Sequence, residues 1–173
     1  MTTEELLQVL QGNFPNLSFE LIGTKPDSAI KVPSEKIAEV AAFLRDEPTL
    51  RFDMLMCLSA VDRKGNFEVV YHIFSMTHGH RSVLKVSVPA DSARVPTVSH
   101  IWRTAEWHER EAFDLVGVEF TGHPDLRRIL LPDDWEGHPL QKDYKTPEEY
   151  QGLKVAYNNL QDPPNLDWEQ HSE

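Results

Sequence analysis

Apolar positions follow two rhythms along the chain. Near the start, Leu6, Leu7 and Leu10 fall on one side of a helical spiral. Thr2 with Glu5 three positions later has the form of a capping box, and Gly12 reads as the stop. Two strands are predicted around 17–22 and 29–32, with turn residues at 24–28 between them. Ser34 is placed to cap a second helix, in which Ile37, Val40, Ala41 and Leu44 recur at helical spacing before Pro48. The apolar run 52–61 fits strand or helix. The stretch 67–74 is rich in Val, Tyr and Phe, and 81–88 alternates cleanly, so both predict strands. Turn chemistry at 62–66 and 77–80 separates these three stretches. Helical spacing returns over 97–116. The order α-β-β-α-β-β-β-α predicts an α+β fold, a two-layer domain over residues 1–117 with helices on one face of a mixed, mostly antiparallel sheet.

After Gly117 the pattern changes. Residues 118–173 hold six of the twelve prolines, 12 acids and 5 bases, and no regular period. Stretches this long without elements of their own are rare inside a compact domain. Yet Phe120, Leu126, Ile129, Leu130, Leu131, Trp135, Leu140, Tyr144, Tyr150, Leu153, Tyr157 and Trp168 punctuate it, and solvated coils usually lack such anchors. The expectation is a long extended C-terminal arm over 118–173 whose anchors bury against the chain's own domain or, as the length favours, against a partner chain.

Composition narrows the classes. With 173 residues, 40% of them apolar, the chain can build one core. No apolar run approaches the ~18 residues of a membrane span, so no direct membrane insertion is expected. The opening Met1-Thr-Thr-Glu-Glu has neither a basic nor an apolar signal region, and no secretory signal is expected there. Cys57 is the single cysteine, which rules out an intramolecular disulfide and falls short of the four thiolates an iron–sulfur cluster usually takes. The net charge of −11 argues against a nucleic-acid partner. Neither a Gly-x-Gly-x-x-Gly nor a P-loop occurs, so no bound nucleotide is expected.

One segment is dense with unusual pairings. It runs Glu109-Arg110-Glu111, Asp114, Gly117, then Phe120-x-Gly122-His123-Pro124, Leu126-Arg127-Arg128-Ile129-Leu130, Trp135, and Gly137-His138-Pro139-Leu140-x-Lys142-Asp143-Tyr144. In this order it closely resembles the signature of the C subunit, the 30 kDa subunit, of NADH:quinone oxidoreductase (complex I). Asp62 and the strand Phe67-Glu-Val-Val-Tyr71-His72 also look like that family. Gln141, Lys145 and Val116 depart from its usual Arg, Pro and aromatic. The resemblance implies a structural and assembly subunit of the complex's peripheral arm, without an active site or cofactor of its own. FMN, iron–sulfur clusters and quinone belong to other subunits of such complexes. The arm would wrap the D-type subunit and meet neighbouring peripheral-arm subunits, on the cytoplasmic side of the cell inner membrane. The reaction supported is electron transfer from NADH to quinone coupled to proton translocation. A related host is a membrane-bound hydrogenase; a different class is a stand-alone metal-dependent hydrolase.

The same residues have a plain physical reading. Glu106–Arg110 and Arg110–Asp114 are four apart on a helix and can pair. Gly117 suits a left-handed helix end. Glu109 falls on the apolar stripe Ala105–Ala112–Phe113–Val116, so burial is expected, with Arg127 or Arg128 folding back as its partner. His123 and His138 with Asp125, Asp133 and Asp134 invite a metal-site reading, but the spacing is unlike that of zinc sites. His78 and His80 flank a turn glycine and are expected to be solvated. Glu109, Glu111 and Asp114 lack a nucleophile beside them, so an ion-pair ladder explains them better than acid–base catalysis.

Overall fold

The computed structural model describes residues 1–23 and 28–155, apart from the side chain of Lys154. The arm positions Tyr157 and Trp168, and Pro163 and Pro164, lie outside the described residues. Helix α1 spans Thr3–Asn13 and opens on the expected capping box: the Thr2 hydroxyl accepts from Glu5 N–H, and the Glu5 carboxylate accepts from Thr2 N–H at 2.8 Å. Gly12 lies inside its last turn and is not the stop. Strands β1 (Glu20–Ile22) and β2 (Ala29–Lys31) follow. Ser34 does not cap α2. Pro33 leads into a 3-10 turn at Ser34–Lys36, and α2 begins only after it, at Ile37–Asp46. The ambiguous run is strand β3 (Met54–Asp62), and β4 (Asn66–Phe74) and β5 (Arg81–Pro89) complete the sheet.

The sheet order is β1-β2-β5-β4-β3. Its pairs are antiparallel except β2 with β5, which is parallel, so the sheet is mixed and mostly antiparallel. The fold is α+β, as the alternation of periods predicts. Leu6 and Leu10 of α1 and Ile37, Val40, Ala41 and Leu44 of α2 join one core with Leu55, Leu58, Val69, Tyr71, Ile73, Leu84 and Val86 of the sheet. Helix α3 adds Ala105, Ala112 and Val116 to the same cluster, so the helices cover one face. In β3 the register slips between Leu55 and Cys57, and Met56 is left without a partner residue on β4.

Helical spacing over 97–116 yields less helix than expected: α3 spans Ala105–Val116. The preceding segment uses its polar groups in tertiary bonds. Trp102 Nε1 donates to the Phe52 carbonyl at 2.8 Å, and the Thr104 hydroxyl to the Leu55 carbonyl at 3.2 Å. Strand β6 (Arg94–Pro96) pairs in parallel with β7 (Glu119–Thr121), just past the helix. Neither short strand has a sequence period long enough to announce it.

The chain divides into two compact units, Met1–Lys142 and Asp143–Glu173. The expected division after Gly117 thus differs from the observed one, because residues 118–142 pack with the first unit. Phe120 is buried there and Leu126 packs against its core. In the second unit, β8 (Glu149–Tyr150) and β9 (Leu153–Lys154) form a small antiparallel hairpin.

Candidate functional site

The signature residues converge on the C-terminal end of α3. A helix leaves its last carbonyls without intrahelical donors. Here the segment 128–141 supplies them. Arg128 Nη1 donates to the Asp114 carbonyl at 3.2 Å, and His138 Nδ1 donates to the same oxygen at 2.9 Å. Leu140 N–H donates to the Leu115 carbonyl at 2.9 Å, and Gln141 Nε2 to that of Val116 at 2.8 Å. Gly117 is left-handed at φ 90°, as its place at the helix end predicts. A Cβ there would come within 2.7 Å of His138 Cδ2, so both backbone and packing require glycine. Gln141, a departure from the family's usual Arg, still fills a donor's role here.

Asp114 is the hub. It is fully buried, and one carboxylate oxygen accepts from the backbone N–H groups of Ile129, Leu130 and Leu131 at 2.7–3.0 Å. The other accepts from Arg128 Nη1 at 2.9 Å. Burial pushes the Asp114 carboxyl up, but these donors outweigh it and hold it below the ordinary carboxylate value. Arg128 Nη2 reaches on to the carbonyls of Trp135 and Gly137 at 3.0 and 3.1 Å. One guanidinium thereby fixes the loop 128–137 to the helix.

The expected ladder on α3 takes another form. Arg110 is buried, and its donors go to the carbonyls of Arg127 (3.2 Å) and Arg128 (3.4 Å). Its guanidinium lies 4.8 Å from the centre of the Trp107 ring. Glu111 is exposed. Arg127 is exposed and pairs with Asp125 at 2.9 Å.

Glu109 is buried, as its stripe predicts, but neither Arg127 nor Arg128 pairs with it. Its Oε1 accepts from Val98 N–H at 2.8 Å and its Oε2 from the Thr97 hydroxyl. Thr97 is not legible as a partner in the sequence, since it lies in an irregular segment before the helix. His123, with its side chain fully buried, lies 4.0 Å from Glu109 and bonds the Glu106 carbonyl through Nε2 at 3.0 Å. Gly122 precedes it at φ 85°. Pro124 is exposed, Pro139 half-buried, and Gly137 left-handed at φ 77°. Lys142 N–H donates to Asp62 at 2.9 Å, which ties the upstream acid of the signature to its far end. That bond, with the one from Lys64 N–H, holds the Asp62 carboxyl below its ordinary value. Asp143 and Tyr144 belong to the second unit. His78 and His80 are not simply solvated: they bond the Pro48 and Leu50 carbonyls at 3.0 and 2.7 Å. His123 and His138 are likewise bonded to backbone, and among the described residues no group of three His, Cys, Asp or Glu side chains is arranged to hold a metal.

The family model described as respiratory-chain NADH dehydrogenase, 30 Kd subunit, matches residues 30–150, the stretch that holds this clamp. The chain belongs to that family. The C subunit of NADH-quinone oxidoreductase from Chloroherpeton thalassium is 52% identical over 120 residues, covering 68% of this chain and 50% of the relative. The chain thus matches about half the length of that relative. Among solved structures, a trypsin-resistant fragment (1–134) of Nqo5 is 29% identical, with a TM-score of 0.59, over 73% of this chain and all of the fragment. A chain of the membrane-bound sulfane sulfur reductase, an archaeal respiratory membrane complex, is 28% identical, with a TM-score of 0.67, over 82% of this chain and 85% of its own.

Proposed function

We propose that this member of the 30 kDa subunit family is a cofactor-free structural and assembly subunit of the peripheral arm of an NADH:quinone oxidoreductase. It would sit on the cytoplasmic face of the inner membrane and support electron transfer from NADH to quinone and the coupled proton translocation, while FMN, iron–sulfur clusters and quinone are held by other subunits. The reading is carried by one observation. Arg128 and Asp114 fix the 128–137 loop rigidly to α3, yet Leu130 and Leu140 beside that clamp stay 61% and 59% exposed. A preorganised loop that presents apolar side chains suits a protein partner, because little ordering cost remains at association. Burying each leucine would contribute roughly 1.5–3 kcal/mol. The D-type subunit is the proposed occupant, with residues 143–173 extending the contact.

No helix among the described residues is long and apolar enough to cross a membrane, so attachment to the membrane would run through partners. The likeness to a chain of the archaeal sulfane sulfur reductase supports a second reading, the same scaffold role in a related respiratory host complex. The co-purifying subunits separate the two: an FMN-bearing, NADH-oxidising subunit points to the NADH:quinone oxidoreductase, and a complex without one points to the related host.

The test is co-purification of the full chain with its D-type partner. The double substitution Leu130→Asp, Leu140→Asp should leave the thermal melt intact and weaken association tenfold or more. A chain ending at Lys142 should also melt cooperatively and bind more weakly. Full association by both variants would sink the scaffold reading, and so would flavin or iron–sulfur absorption in the isolated full chain.

A further inference from the structure

The scaffold role leaves a buried acid unused. Glu109 is fully buried, and none of the described lysines or arginines pairs with it. We propose that Glu109, Tyr71, Thr97 and Ser99 form an internal proton-binding site, in which the Glu109 carboxyl exchanges one proton with solvent through the Thr97 and Ser99 hydroxyls.

The groups around Glu109 come from every element packed on it. β3, which packs on α3, turns Leu55 and Leu58 into the core, and neither carries a charge. β4 offers Tyr71, fully buried, whose hydroxyl has no bonding partner among the described residues. Burial, and then the nearby Glu109 charge, push the Tyr71 phenol well above its ordinary value, so it stays neutral. The turn after β7 offers His123. Its Nδ1 accepts from Asp125 N–H at 3.0 Å while its Nε2 faces the Glu106 carbonyl. Both ring nitrogens are therefore satisfied by the neutral imidazole with its proton on Nε2. On α3 itself, the Arg110 guanidinium is spent on the 127 and 128 carbonyls. A carboxylate in this setting has two donors and no cation, which favours its neutral form. Burial accordingly lifts the Glu109 carboxyl to about 7, against the opposing pull of Thr97 and Val98.

The route outward is a pair of hydroxyls. Thr97 Oγ1 touches the Glu109 Oε2 on one side and lies 2.9 Å from Ser99 Oγ on the other. Ser99 is partly exposed. In the protonated state Glu109 donates to Thr97, and Thr97 donates to Ser99. In the ionised state both bonds reverse: Ser99 donates to Thr97, and Thr97 to Glu109. One proton leaves the carboxyl and one leaves Ser99 to water, while each hydroxyl keeps one, so the transfer balances.

The test uses the full chain with 13C-labelled glutamate carboxyls, titrated by NMR between about pH 5 and about pH 9. The signal lost in Glu109→Gln identifies the residue. Its midpoint is expected near 7. Thr97→Val, which removes the relay and one donor, should move that midpoint upward and leave the other glutamates in place. A midpoint in the ordinary carboxylate range, or one unmoved by Thr97→Val, would overturn the proposal. Should Glu109→Gln fail to fold, infrared difference spectra of the unaltered chain take its place. A protonated-carboxyl band that persists at about pH 6, where ordinary carboxyls are ionised, and is lost as the pH rises past neutrality supports the site, and its absence at about pH 6 refutes it.

Discussion

Glu109 and Asp114 stand little more than one turn apart on α3, and both are fully buried. Their surroundings solve the same problem in opposite ways. Asp114 meets a guanidinium and three backbone N–H groups and stays charged. Glu109 meets one hydroxyl and one N–H and no guanidinium, and burial lifts its carboxyl to about 7. Depth of burial therefore does not decide the charge of an interior acid; the count and sign of its donors do.

The largest expected effect comes from breaking the compensated end. Asp114→Ala strands a largely buried guanidinium and three N–H groups, and should cost about 3–5 kcal/mol. Urea melts should show it, together with early proteolysis in 128–141, since that segment loses its anchor to the helix.

Next comes pH dependence, where the two acids pull in opposite directions. The Glu109 carboxyl is raised in the folded chain, so its contribution is complete below the unfolded value of 4.5 and is lost as pH rises toward about 7. The size is on the order of 3 kcal/mol. Asp114 is lowered in the folded chain, so its contribution is present above its unfolded value and is lost as pH falls below it. Denaturant melts of the unaltered chain should therefore lose stability between pH 4.5 and about 7, and Glu109→Gln should flatten that slope. An equal slope in the variant would show that another group is responsible.

A smaller loss, roughly 1–3 kcal/mol, is expected for Gly117→Ala. The left-handed backbone resists a side chain and the new Cβ displaces His138, so the melting temperature should drop while the Glu109 titration stays put. The smallest effect, a melting temperature close to that of the unaltered chain, is expected for Arg127→Ala. Its ion pair with Asp125 is exposed, and the bond from Arg110 Nε is accepted by its backbone carbonyl, which alanine keeps. Comparing it with Arg128→Ala by thermal melt sets apart two adjacent arginines that look alike in sequence.

These contrasts mark what could be read from residues alone. The capping box at Thr2, the left-handed Gly117 and the burial of Glu109 follow from local spacing, and each stands as spacing predicts. The partners of Glu109 do not follow, because Thr97 reaches it only after β6 and the 97–104 turns have placed it. The end of the first unit is hidden for a related reason. Apolar periodicity stops at Val116, but the carbonyls of 114–116 still need donors, and those donors lie as far on as Gln141. Period reports where side chains pack, not where a helix end finds its hydrogen bonds.

The slipped register of β3 has a consequence for how copies of this protein meet. β3 is the last strand of its sheet, and an open strand edge invites a second chain to add itself there and begin aggregation. The bulge at Met56 throws the edge's hydrogen-bonding groups out of step, and the Leu55 carbonyl beside it is already taken by Thr104. An incoming strand would lose its ladder at that point. With Met54, Met56 and Cys57 all exposed along this rim, the kink separates an adhesive border from an aggregation seed.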